Sequence, residues 1–163
     1  MQNAKDTFYI TLRDRIAALN AARTVLVRGQ SRPAVLVEEN ELPSAFSHDD
    51  TFVLRWTDAK IDAQQGTLPL VTQRCEIRYA TQGNSGNGGM DRGRLLSAMD
   101  SELAAALNVT PQRTAKTNYA NPAPMQTNIF WSDVAFAPAQ VGETRLGRTA
   151  TVDVFSYQEA GER

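Results

Sequence analysis

Between Leu68 and Leu107 the chain passes from one hydrophobic period to another through a glycine loop. Val71, Gln73, Cys75, Ile77 and Tyr79 alternate with Thr72, Arg74, Glu76 and Arg78, the period of a strand with two unlike faces. GNSGNGG follows, and then Leu96, Met99, Leu103 and Leu107 recur at helical spacing, with Leu95 and Ala106 flanking them. A strand and a helix joined this way predict α and β layers packed on each other. At 163 residues the chain suits a single domain, 1–163. Such a length buries roughly two-thirds of its unfolded surface, so a core needs no disulfide or metal.

The remaining elements follow from the same periods. Residues Thr7 to Ala22 predict a helix with Phe8, Leu12, Ile16 and Leu19 on one stripe and Asp6 as its N-cap. Thr24 to Arg28 and Ala34 to Glu38 read as short strands on either side of a turn-like Gly29–Pro33, a possible hairpin. Glu39 to Asp50 is a polar connection. Thr51 to Asp58 alternates again, and Ile61 to Gly66 is a turn. The central strand opens near Leu68, and the second helix spans Asp91 to Asn108 with Asp91 at its N-terminal end. Thr110 to Gln126 has three prolines and almost no periodicity, which predicts a long loop, functional or disordered. Thr127 to Phe136 and Thr144 to Tyr157 read as strands, and the tail 158–163 should fray. Strands outnumber helices and the connections are short. The fold class is therefore α+β, a mainly antiparallel sheet flanked by two amphipathic helices.

The residue types exclude most site chemistries. A single histidine, His48, supplies neither a Ser–His–Asp arrangement nor a zinc site. His48-Asp49-Asp50 could hold a metal with Asp58 or Asp62, as in a metal-dependent hydrolase; a polar turn explains the same residues more simply. The glycine loop lacks the Lys-Ser/Thr of a phosphate loop. Gly86 and Gly88 begin a dinucleotide fingerprint, but Asp91 stands where its third glycine belongs. It reads as a mobile connection. Cys75, the one cysteine, shares parity with Val71 and Ile77 and reads as a small buried hydrophobe. No cofactor and no bound metal are expected. The N-terminal MQNAKDTFYITLRDRI lacks a secretory apolar region, which points to the cytoplasm or an assembly built there.

The formal charge of −1 argues against a dedicated nucleic-acid binder. The cations are 14 Arg against 3 Lys, which suits protein interfaces, although an Arg-rich codon bias produces the same excess. Arg74, Glu76 and Arg78 share a strand face that Arg55 could join, a row of mixed sign suited to protein contacts. Of the adjacent Phe130 and Trp131, one should face the core and one an interface, with Trp131 the expected interface residue; a sheet covered on two sides would bury both. Tyr119, on the 110–126 segment, is a further contact candidate.

An N-terminal amphipathic helix (FYITLRDRIAALNAA), a charged alternating strand (VTQRCEIRYA), a helix after a loop (RGRLLSAMDSELAAAL) and a terminal hairpin (NIFWSDVAF with TATVDVFSY) resemble the tail terminator and tail-completion proteins of bacteriophages. The resemblance covers most of the chain. It implies a structural, non-enzymatic subunit of the virion, made in the host cytoplasm. Such subunits form a ring, often a hexamer, that caps the tail tube and joins it to the neck or head. Its partners would be further copies of itself, the tail tube protein and a neck or head-completion protein. DNA would pass through the lumen without sequence-specific binding, and no membrane would be involved. The alternatives are the hydrolase above and a monomeric binding module using the glycine and 110–126 loops.

Overall fold

The computed structural model describes residues 1–41, 48–63, 67–121 and 123–162. The helices are α1 (Gln2–Leu19), α2 (Glu38–Glu41) and α3 (Arg92–Leu107). The strands are β1 (Thr24–Val27), β2 (Gln30–Pro33), β3 (Val35–Val37), β4 (Phe52–Asp62), β5 (Leu70–Thr81), β6 (Arg113–Asn118), β7 (Ala123–Trp131), β8 (Ala135–Phe136), β9 (Gln140–Val141) and β10 (Leu146–Tyr157). Among the described residues, eight strands form one sheet in the order β3-β4-β5-β10-β7-β6, with β8 and β9 also on β10. Every pairing is antiparallel except β3 with β4. The chain is mixed α+β, as the periods require.

The centre is the pair β5–β10, unbroken from Leu70↔Tyr157 to Thr81↔Leu146. The other side of β10 is taken in turn by β7, β8 and β9. Trp131 opposes Val154 and Phe136 opposes Ala150, five residues against four, and a further extra residue precedes Val141↔Leu146. Each slip is a bulge that keeps the strand following a twisted partner.

One face of this sheet is covered. Phe52 and Leu54 of β4, Cys75, Ile77 and Tyr79 of β5, and Ala150, Val152 and Val154 of β10 share a core with Phe8, Leu12 and Ile16 of α1 and with Leu96, Met99, Leu103 and Leu107 of α3. The predicted stripes are those faces, save that Leu19 is exposed and Ala4 extends the first stripe upstream. Helix α1 therefore begins at Gln2. Asp6 lies inside it and accepts from the Gln2 side chain at 2.7 Å, so it is not the N-cap. Phe8 stands edge-on to Trp56 and Trp131, each at 5.9 Å. The last carbonyls of α3, which a helix leaves without internal partners, are met from the neighbouring layers. Arg15 donates to Ala106 O at 2.8 Å, and Trp131 Nε1 donates to Leu107 O at 2.8 Å.

Further expectations change. The hairpin lies wholly within 24–33, not between 24–28 and 34–38. Arg28 and Gly29 both have positive φ (50° and 79°), the two-residue turn that matches strand twist, so the chain reverses there. Val35–Val37 then joins the main sheet beside β4. The 110–126 segment is not a long loop. Arg113–Asn118 pairs with Ala123–Trp131, because polar threonines and asparagines suit an edge strand as well as a loop.

The tail expected to fray is held through Glu162. Lys116, fully buried, donates to Tyr157 O at 2.5 Å and to Glu162 Oε2 at 2.6 Å, and lies 3.5 Å from Glu159. Glu159 accepts from Gln126 N (3.1 Å), Thr127 N (2.8 Å) and Thr127 Oγ1 (2.6 Å), amides that the β6–β7 register shift frees. Burial pushes both carboxyls up, but these hydrogen bonds outweigh it and hold both below their ordinary value.

The glycine loop is closed, not slack. Asp91 stands at the N-cap position of α3 but turns its carboxylate backwards, accepting from Asn84 N (3.0 Å) and Asn84 Nδ2 (2.5 Å). Arg92 Nε donates to Gln82 O at 3.0 Å. Gly83, at φ 77°, lies so close to Asp91 that a Cβ there would stand 2.7 Å from its Oδ1. Of the turn expected at Ile61 to Gly66, Ile61 and Asp62 instead extend β4, because they pair with Val71 and Leu70, while 64–66 and residues 42–47 of the polar connection lie outside the described residues.

Candidate interaction surface

The face of β4, β5 and β10 that points away from α1 and α3 is where the expected interface residues gather. Strand alternation puts Arg74, Glu76 and Arg78 there, and the β4 register sets Arg55 directly beside Glu76. Arg55 thus joins the row that parity alone left open. On the other side of β5, Asp153 stands opposite Arg74 and Thr151 opposite Glu76. Arg74 grips Asp153 at 3.0 and 3.4 Å. Arg78 pairs with Glu76 at 3.0 Å and with Glu38 at 3.7 Å, and Glu38 also reaches Arg55 at 3.9 Å.

The arginine side chains retain 48% (Arg55), 53% (Arg74) and 41% (Arg78) of their exposure. At that exposure solvent and salt screen each pair, so it contributes little to stability. The network therefore does little to hold the fold. It fixes the direction of long side chains over a broad surface of mixed sign. The row gives way to apolar rings where Phe155 lies beside Phe130, both half-buried. The sequence reading missed Glu38 and Asp153. Their signal was weak, since only the β3–β4 and β5–β10 pairings bring them beside the arginines.

Two expected interface residues lie elsewhere. Trp131 is core, not surface: it is 4% exposed, and Arg15 lies 5.0 Å over its ring. Its parity is that of Ile129, so α1 covers it and Phe130 takes the open side. Tyr119 is 36% exposed in the turn after β6, at the far edge of the sheet from β4 and β5.

The chemistry-bearing candidates are engaged structurally. Asp49 pairs with Arg145 at 3.1 Å and accepts from Gln82 Nε2 at 2.6 Å. Asp50 N donates to Ala80 O at 2.8 Å, which docks this turn against the end of β5. Asp62 pairs with Lys60 at 2.9 Å, and Asp58 accepts from Ala59 N at 2.8 Å. Among the described residues no three His, Cys, Asp or Glu side chains group as metal ligands would. Cys75 is fully buried; burial first, then the Glu39 carboxylate, pushes its thiol far up, away from thiolate chemistry. Among the described residues no helix is long and apolar enough to cross a membrane.

No family model matches the chain, and no curated protein matches it.

Proposed function

We propose that this chain is a structural, non-enzymatic subunit of a phage or phage-like tail. It assembles as a ring, often a hexamer in the family it resembles, that terminates or completes the tail and joins it to the neck. The reading takes 1–163 as one domain with two amphipathic helices flanking the sheet. Its partners are further copies of the chain, the tube protein and a neck or head-completion protein, and DNA passes through the lumen.

The observation that carries the proposal is the one-sided sheet. Helices cover one face, while the other presents Arg55, Arg74 and Arg78 already oriented by Glu38, Glu76 and Asp153. A preset surface of mixed sign favours register and partner choice between proteins over tight binding of a polyanion. The test is size-exclusion chromatography with light scattering, with and without tube protein, and electron microscopy of the assembled fraction. Ring particles are expected. A monomer at every concentration, with no affinity for tube protein, overturns the proposal.

A further inference from the structure

The β1–β2 hairpin stands apart from the main sheet as a two-stranded unit of its own. Such a ribbon is marginal alone in water. Leu26 on it is 68% exposed, and its tip is the exposed Arg28, held at φ 50°. The sequence of the ribbon, TVLVRGQSRP, has no acid; its exposed cation is Arg28, whereas Nε and Nη2 of Arg32 are buried. A basic, apolar projection of this kind resembles an arm.

A socket of the opposite character lies near the other end of α1. A cleft of about 90 Å³ opens between the first turns of α1 and the α2–β4 corner, lined by Lys5, Asp6, Tyr9, Glu39, Asn40 and Trp56. It is far below the roughly 300 Å³ at which small-ligand sites begin, so it suits the head of one side chain. Its wall includes two aromatic rings, whose faces attract cations: Arg13 lies 5.8 Å from the Tyr9 ring and Lys5 lies 5.3 Å over the Trp56 ring. Among the residues that line the cleft, the carboxylates of Asp6 and Glu39 outnumber the one ammonium.

Arm and socket lie toward opposite ends of α1. Lys5, Asp6 and Tyr9 line the socket and the hairpin follows Leu19, so roughly 15–20 Å of helix separates them. The base of the hairpin is pinned there by Ala34 N donating to Arg23 O at 3.0 Å. Two unlike, charge-complementary surfaces at opposite ends of a rigid element define a head-to-tail contact, the kind that closes into rings.

We infer that the β1–β2 hairpin of one copy docks into the α1/α2 cleft of the next, with Arg28 entering between Asp6 and Glu39 beside the Trp56 and Tyr9 rings. Leu26 adds apolar contact at the rim. The inference rests on the ring reading and names the surfaces that would build it.

The test reverses each charge in the full chain. Arg28→Asp, chosen because Asp tolerates positive φ, and Glu39→Arg should each weaken self-association tenfold or more by light scattering, with unchanged circular dichroism. The double variant should recover most of the loss. Independently, Arg28→Cys with Glu39→Cys should give a covalent ladder under oxidation, whereas either single variant should not; Cys75, fully buried, does not interfere. Rings that form normally in both reversals and give no ladder overturn this inference but leave the ring reading intact. A wild-type chain that never self-associates and never binds tube protein overturns both.

Discussion

Lys116 carries a full charge into an environment with no solvent exposure, and its two carboxylate neighbours are nearly as deep (13% exposed for Glu159 and 4% for Glu162). Removing the lysine is far more damaging than its net contribution suggests, because both carboxylates stay buried with only the N-terminal ammonium, 3.8 Å from Glu162, to offset them. Lys116→Met should cost about 3 kcal/mol in urea unfolding. The triple variant Lys116→Met/Glu159→Gln/Glu162→Gln should recover much of that loss, since no bare charge is left behind. A single variant as stable as the wild type would refute this account. Nothing near Lys116 in the sequence announces burial. TAKTN reads as a polar segment, and the acids it needs lie more than forty positions away. Trp131 misled in the opposite sense. Residue type marks aromatic side chains as good interface anchors, but only the pairing with Val154 shows which of Phe130 and Trp131 meets α1.

At the scale of elements, the long helices and strands were legible because their apolar residues repeat at the period of the backbone. The stripe Leu96, Met99, Leu103 and Leu107 is the buried face of α3, and Cys75, Ile77 and Tyr79 form that of β5. Short edge elements were only partly legible. Strand β6 is recruited by β7, so its strand character comes from a neighbour and not from its own pattern, whereas Val35–Val37 reads as a strand but its partner β4 could not be read. The C-terminal tail is a further case and yields a pH prediction. Glu159 and Glu162 have depressed values in the folded protein, so the unfolded state takes up protons first on acidification. Their stabilisation is complete above the ordinary carboxylate range, about pH 4.3, and is lost as pH falls through the folded values below it. Amide exchange at Gln126, Thr127 and 158–162 should therefore accelerate, relative to the core of β5, on going from pH 7 to pH 3. Equal relative protection at both values would count against the tail being held by these carboxylates.

For the whole molecule, the decisive asymmetry is between the two faces of the sheet. The covered face holds the apolar core, and its loss would unfold the chain. The open face is a different matter, because its ion pairs are exposed and each contributes little. Replacing Arg55, Arg74 and Arg78 together by alanine should leave the urea midpoint close to that of the wild type while abolishing the proposed binding to tube protein. Intact binding in this variant would move the working surface elsewhere. The sequence by itself determined the class of the fold, the faces of its long elements and the mixed sign of the Arg74–Glu76–Arg78 row. These follow from local backbone geometry, in which side-chain direction repeats every two or 3.6 residues. Only the tertiary structure decided which face the helices cover, that Arg55 joins the row, that Trp131 is core, that Lys116 is buried and that a hairpin stands clear of the sheet. Each of those depends on which distant segments come to lie side by side, and no local period records that.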